Sequence, residues 1–173
     1  MRRLLDGLHW QMARYSRGRW LTALVILSAA TLAIFDSLSE QLGGLPVPDT
    51  VLFYNGADLT AMLSAFEGEA REGYHRFRQV DLLFPVIFAC TLLGLIGFAW
   101  RDRTPRWIVM LPLAVMVVDY GENTALHVAE LSLPDIPAPL LWLTAAMSGA
   151  KWILIAVCVL LVPAGFLARW RRR

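Results

Sequence analysis

Lysine is almost missing from this sequence: of 16 basic residues only one, Lys151, is a lysine, and the rest are arginine. Cysteine is nearly as scarce. Cys90 and Cys158 are the two present. They fall in different apolar segments at depths of roughly 12 and 28 Å from one boundary, counted by helical rise, which argues against a disulfide between them. Charge is thin throughout. Charged residues make up 17% against 57% hydrophobic ones, with a mean hydropathy of +0.53, so the polar surface of an ordinary soluble domain is not there. Nucleophile-elbow, phosphate-binding glycine-loop, haem and quinone-thiol motifs are also absent, as are internal repeats and low-complexity segments. The motif-bearing enzyme classes therefore drop out, and whatever chemistry remains must come from isolated polar residues in apolar surroundings.

What is present is apolar length. Residues 20–36, 82–100, 107–129 and 140–167 are long enough, or nearly so, to cross about 30 Å of hydrocarbon. The expected fold is all-α: one domain, residues 1–173, built as a four-transmembrane-helix bundle. Arginines gather before the first span (Arg2, Arg3, Arg14, Arg17, Arg19), between the second and third (Arg101, Arg103, Arg106), and after the fourth (Arg169, Arg171, Arg172, Arg173). The opposite connections carry acids instead: Glu40, Asp49, Asp58, Glu67, Glu69, Glu72, Glu130 and Asp135. The positive-inside rule then puts both termini in the cytoplasm. Topogenic arginines explain the basic tails without nucleic acid as a partner. Short loops and the arginine bias suit a bacterial inner membrane.

Local signals fill in the connections. Leu4, Leu5, Leu8 and Met12 recur at helical spacing among arginines, as in an interfacial helix; a disordered basic tail and a cleaved signal segment are the competing readings. Residues 56–80 form an extracytoplasmic segment. There Asn55 and Asp58 have the spacing of a capping box, and Leu59, Met62, Leu63 and Phe66 make the stripe of an amphipathic helix. Gly68 should interrupt it, leaving a turn-rich piece, residues 69–80, with Tyr74, Phe77, Arg78 and Asp81 on one face. Pro85 suits a first helical turn, Gly94 and Gly97 permit close helix contact, and Pro112 and Pro163 are expected to kink their helices. Trp20, Trp100, Trp107 and Trp170 mark span ends as an aromatic belt.

The informative stretch is Asp119 to His127. Asp119, Glu122, Asn123, Leu126 and Glu130, at offsets 0, 3, 4, 7 and 11, share one helical face inside the third span. Carboxylates there must face protein, water or a ligand. Rise per residue puts Asp119 at roughly 18 Å from the inner boundary, Glu122 at roughly 22 Å, Asp36 at roughly 24 Å and Lys151 at roughly 27 Å, with Asp81 at the outer edge. One site in the outer half of the bilayer is the simplest arrangement. Lys151 is the expected counter-ion of Glu122 or Asp119, and an excess of acid would keep one carboxyl protonated as a general acid. The expected catalytic set is Asp119, Glu122, Lys151 and Asp81. Asp36, Tyr74, Arg76, Arg78, Phe84, Asn123 and His127 are the expected ligand-binding residues. Of these, Arg76 or Arg78 would grip a phosphate or carboxylate. No metal is expected: His127 and Glu130 are a single i, i+3 pair with no second Glu-x-x-His, and His9 and His75 read as interfacial. No cofactor can be named.

Gly73-Tyr74, Asp81-x-x-Phe84-Pro85 and Asp119-x-x-Glu122-Asn123 together resemble a pattern of uncharacterised small bacterial integral-membrane proteins with four helices, over roughly residues 59–151. The resemblance implies the same topology and the same acidic residues, and no activity. Two functions follow from the residues. The first is an acidic intramembrane pocket that binds the polar head of a lipid-like or isoprenoid molecule, with acid–base chemistry by Asp119 and Glu122. The second is a non-catalytic subunit or assembly factor that docks a larger membrane complex, or a second copy, through the same charges. A polar network that only holds the bundle in register competes with both.

Overall fold

A computed structural model describes residues 2–101 and 105–171, without the side chains of residues 2–5, 8 and 106. The stripe expected of Leu4, Leu5 and Leu8, and the basic side chains of Arg2, Arg3, Arg103, Arg106, Arg172 and Arg173, lie outside the described residues. Seven α-helices are present among the described residues: α1 (Arg2–Tyr15), α2 (Gly18–Gln41), α3 (Gly56–Ser64), α4 (Gly68–Asp81), α5 (Phe84–Trp100), α6 (Met110–Leu131) and α7 (Ala138–Trp170). Short 3-10 turns cover Pro48–Thr50 and Arg106–Val109. No strand occurs among the described residues.

Three helical stretches are long and apolar enough to cross a membrane: α2, α6 with its preceding turn, and α7. The number is four if α4 and α5, separated by a short break and bent, count as one span. Many of the side chains these helices turn outward are apolar, among them Ile26, Leu32 and Ile34 on α2 and Ile153, Val159 and Leu160 on α7. Apolar surface on that scale is tolerated in lipid and not in water. The apolar window of α6 is 44% buried and those of α2 and α7 only 17%, so of these three α6 has the largest share of its surface against protein.

Contacts divide the chain into two compact units, and α2, α6 and α7 each contribute residues to both. The first comprises residues 1–29, 85–116 and 153–173. Its core is Leu92, Ile96, Ile108, Val115 and Cys158. Neither cysteine is in a disulfide. The N-terminal segment is a helix that packs on α5: Met12 is buried with Leu93 and Val109. Gly94 and Gly97 allow this approach, because a Cβ on Gly97 would stand 2.6 Å from Met12 Cγ and 3.2 Å from its carbonyl oxygen. Ser28 and Thr91 hydrogen-bond across α2 and α5 at 2.8 Å, satisfying two hydroxyls among apolar neighbours.

Two expectations for this unit change. Pro112 does not interrupt a helix: α6 begins at Met110, so the proline sits in the first turn, where its missing N–H breaks no helical bond. Trp100 is more than a belt residue. Its indole Nε1 donates to the Leu161 carbonyl at 2.8 Å, and the ring fills the notch left by Gly165.

The second unit comprises residues 30–84 and 117–152. The capping box at Asn55 forms as expected: the Asn55 side chain accepts from the Asp58 N–H and the Asp58 carboxylate from the Asn55 N–H, both at 3.0 Å. Leu59, Met62, Leu63 and Phe66 are all buried. The turn-rich piece expected over residues 69–80 is instead the regular helix α4. Gly68, with φ +51, takes the left-handed conformation that re-aims the chain and lets a new helix start. Phe66 stacks on Tyr74 at 4.4 Å between centroids and Phe35 on Phe77 at 4.5 Å, forming a core with Leu42, Leu59, Leu63 and Leu126. Gly73 admits Leu42, whose Cδ2 would be 2.8 Å from an added Cβ.

Candidate functional site

The acidic face of α6 forms as its spacing requires. Asp119, Glu122, Asn123 and Leu126 are buried, Glu122 completely. Opposite them α7 presents Thr144, Ser148 and Lys151, at offsets 0, 4 and 7, and these too are buried. The helices come close because α6 has Gly121 there: an added Cβ would stand 2.8 Å from Met147 Cε. Lys151 Nζ lies 2.6 Å from Glu122 Oε2 and 3.6 Å from Asp119 Oδ1. In apolar surroundings an unpaired ammonium would cost several kcal/mol or lose its proton, and the two carboxylates remove that penalty.

A third carboxylate reaches the same ammonium from the loop after α2. Lys151 Nζ pairs with the Asp49 carboxylate and donates to the Asp49 carbonyl at 3.1 Å. This loop is fastened along α7. Ser148 Oγ donates to the Val51 carbonyl at 3.3 Å, Gly149 leaves room for Phe53, and Gly56 lies against Leu141. Tyr54 completes the wall, its hydroxyl 3.4 Å from Glu122 Oε1 and 3.5 Å from the Thr144 carbonyl. Burial, with the Glu122 carboxylate adding to it, pushes the Tyr54 phenol well above its usual range, so it keeps its proton and faces the acid as a donor.

Asp81, at the end of α4, joins from the other side. It accepts a hydrogen bond from Asn123 Nδ2, and one oxygen each of Asp49, Asp81 and Asp119 lie within 4.8 Å of one another. Asn123 links this cluster to a neighbouring one: its carbonyl accepts from Arg78 Nη2 at 3.3 Å. Arg78 Nη1 lies 2.9 Å from Glu130 Oε2 and 3.1 Å from His127 Nδ1.

Of the residues singled out from sequence, Asp81, Asp119, Glu122, Asn123 and Lys151 come together. Arg78 and His127 sit in the adjoining cluster, where Arg78 is held by Glu130 and His127 is exposed. Tyr74 is buried against Phe66, and Phe84 meets Phe35 edge-on. Two residues do not join. Asp36 is exposed on α2, because Phe35 is the residue turned into the core. Arg76 is exposed on α4 and faces Glu72 one helical turn away.

Asp49, Tyr54, Thr144 and Ser148 escaped the sequence reading. For the α7 pair the signal was legible in the 0, 4, 7 spacing with Lys151. For Asp49 it was weaker: the loop around it, Leu45 to Phe53, is too apolar for a solvated connection.

Helices of this length and apolarity, with apolar side chains turned outward, are those of an integral membrane protein. No protein-family model, curated protein or solved structure matches the chain, and the resemblance of its acidic pattern brings no activity with it.

Proposed function

We propose that this is a bacterial inner-membrane protein of four spans with both termini cytoplasmic. Residues 56–80 are its periplasmic segment, and its buried cluster binds the polar head of a lipid-like or isoprenoid molecule from the outer leaflet. The observation that carries the reading is the imbalance at Lys151: Asp49, Asp119 and Glu122 meet at one ammonium, with Asp81 beside them. Surplus buried acid suits a site for hydroxyl, amine or cation-bridged phosphate groups, and in this reading Asp119 and Glu122 exchange protons with the bound group.

The rival reading, a non-catalytic subunit that docks through these charges, is favoured less by their burial. A docking surface leaves its charges outward until a partner covers them, whereas Glu122 is 0% and Lys151 3% exposed in the chain alone.

The test is native mass spectrometry of the full chain extracted in mild detergent. A lipid retained by the wild type and lost from Asp119→Asn supports the reading, whereas a lipid-free chain recovered only with partner proteins favours docking. Orientation is tested separately with a membrane-impermeant thiol reagent on a Cys-free background. Ala57→Cys should react from the periplasmic side and Gly18→Cys should not; the opposite pattern rejects the topology.

A further inference from the structure

Three carboxylates converge from three separate elements: Asp49 from the 3-10 turn, Asp81 from the end of α4 and Asp119 from α6. One oxygen of each lies within 4.8 Å of the others. Oxygens around one ion bound at about 2.0–2.5 Å are at most about 4–5 Å apart, so the three fit a single coordination sphere. The neighbouring cations do not balance them. Arg78 is occupied by Glu130, and Lys151 alone answers Asp49, Asp119 and Glu122. With all four acids ionised the cluster carries three more negative charges than positive, which apolar surroundings penalise heavily.

A buried oxygen left without a donor adds a second indication. Asp119 Oδ1 accepts no hydrogen bond, its Lys151 contact being 3.6 Å. The Tyr74 hydroxyl, on a residue 1% exposed, likewise has no hydrogen-bond partner. Buried acceptors and hydroxyls are normally satisfied. Asp119 is one of the three converging carboxylates, and this oxygen of it has a lone pair unused.

The geometry points to a binding site for one hard divalent cation, of the magnesium, manganese or calcium class, held by Asp49, Asp81 and Asp119. Oxygen-only donors select that class over zinc or copper, which favour imidazole and thiolate. The ion would remove two of the three surplus charges while Lys151 stays on Glu122. It would also give an acidic pocket the means to hold an anionic head group. That last role rests on the lipid reading, whereas ion binding does not.

The experiment is a titration of the full-length, chelator-stripped protein in detergent with manganese(II), read by electron paramagnetic resonance. Thermal unfolding is followed in parallel with manganese, magnesium or calcium. The wild type should show one saturable site and a cation-dependent rise in Tm. Asp49→Asn and Asp81→Asn should each weaken binding by more than about tenfold, since loss of even an outer-shell partner costs about 10–100-fold. Asp36→Asn, which alters an exposed acid, should bind as the wild type does. Removing a carboxylate relieves repulsion, so both site variants are expected to fold; if either does not, the wild-type titration decides. Absence of a saturable site in the wild type up to about 1 mM, the weak end of known carboxylate sites, overturns the inference. So do Asp49→Asn and Asp81→Asn proteins that bind like wild type. Lipid retention with no ion binding would reject the cation site alone, and ion binding with no lipid would reject the lipid reading alone.

Discussion

Lys151 and Asp49, 102 positions apart in sequence, form an ion pair that fastens the loop after α2 to α7, and the loop backbone shares the same ammonium. The lysine is thus both the counter-charge for α6 and the peg that holds the wall of the site. Removing it should matter more than removing any one of its acids. Lys151→Met leaves the carboxylates uncompensated, and breaking a buried pair in this way costs about 3–5 kcal/mol. Glu122→Gln leaves Asp49 and Asp119 still on the ammonium and should cost distinctly less. Thermal unfolding of both variants in detergent checks the order; equal losses would mean Lys151 answers Glu122 alone.

Asn55 sets where α3 begins, and so how the loop carrying Tyr54 enters the site. Asn55→Ala removes the side-chain acceptor for the Asp58 N–H and should lower stability by about 0.5–2 kcal/mol. Asn55→Asp should restore most of it. If Asn55→Ala is neutral in the same unfolding assay, the cap does not anchor this segment.

Tyr54 gives a pH prediction. Its phenol is raised above the ordinary value of 10.0, first by burial and then by Glu122. A group whose folded pKa lies above its unfolded one contributes stability that is complete below the unfolded pKa and lost as pH rises toward the folded one. The wild type should therefore lose stability progressively above pH 10, and Tyr54→Phe less steeply. Near neutrality the variant should be within about 1 kcal/mol of wild type, because the contacts at 3.4 and 3.5 Å are long. Parallel alkaline curves for the two proteins would show that Tyr54 titrates freely.

Gly97 sets how closely α1 packs on α5. Gly97→Leu places side-chain atoms where Met12 lies and should cost about 1–3 kcal/mol in overpacking. Cleavage by trypsin after Arg14 and Arg17 should then accelerate. An unchanged cleavage rate would mean that α1 is not held by this contact.

Much of this was legible in the sequence because it rests on periodicity. The face shared by Asp119, Glu122 and Asn123, the stripe from Leu59 to Phe66 and the cap at Asn55 are all local patterns that tertiary packing had only to accept. Asp36 was misplaced because position along a helix was counted without rotation: Phe35 claims the inward direction. Asp49 was missed for the opposite reason. It lies outside any periodic element, and only the fold brings a loop residue to Lys151. Arg76 and Arg78 lie two positions apart on α4, so no more than one could face Glu130, and spacing alone did not say which.

The most direct test of a ligand site at Lys151 compares four proteins: wild type, Lys151→Met, Glu122→Gln and the double variant. Each is assayed for thermal stability and for lipid retained per chain by native mass spectrometry. The expected result is a double variant that recovers only part of the stability lost by Lys151→Met, because Asp49 and Asp119 still lack the ammonium, and that retains no lipid. A double variant that keeps its stability and carries lipid as the wild type does would contradict a ligand-binding role for this pair.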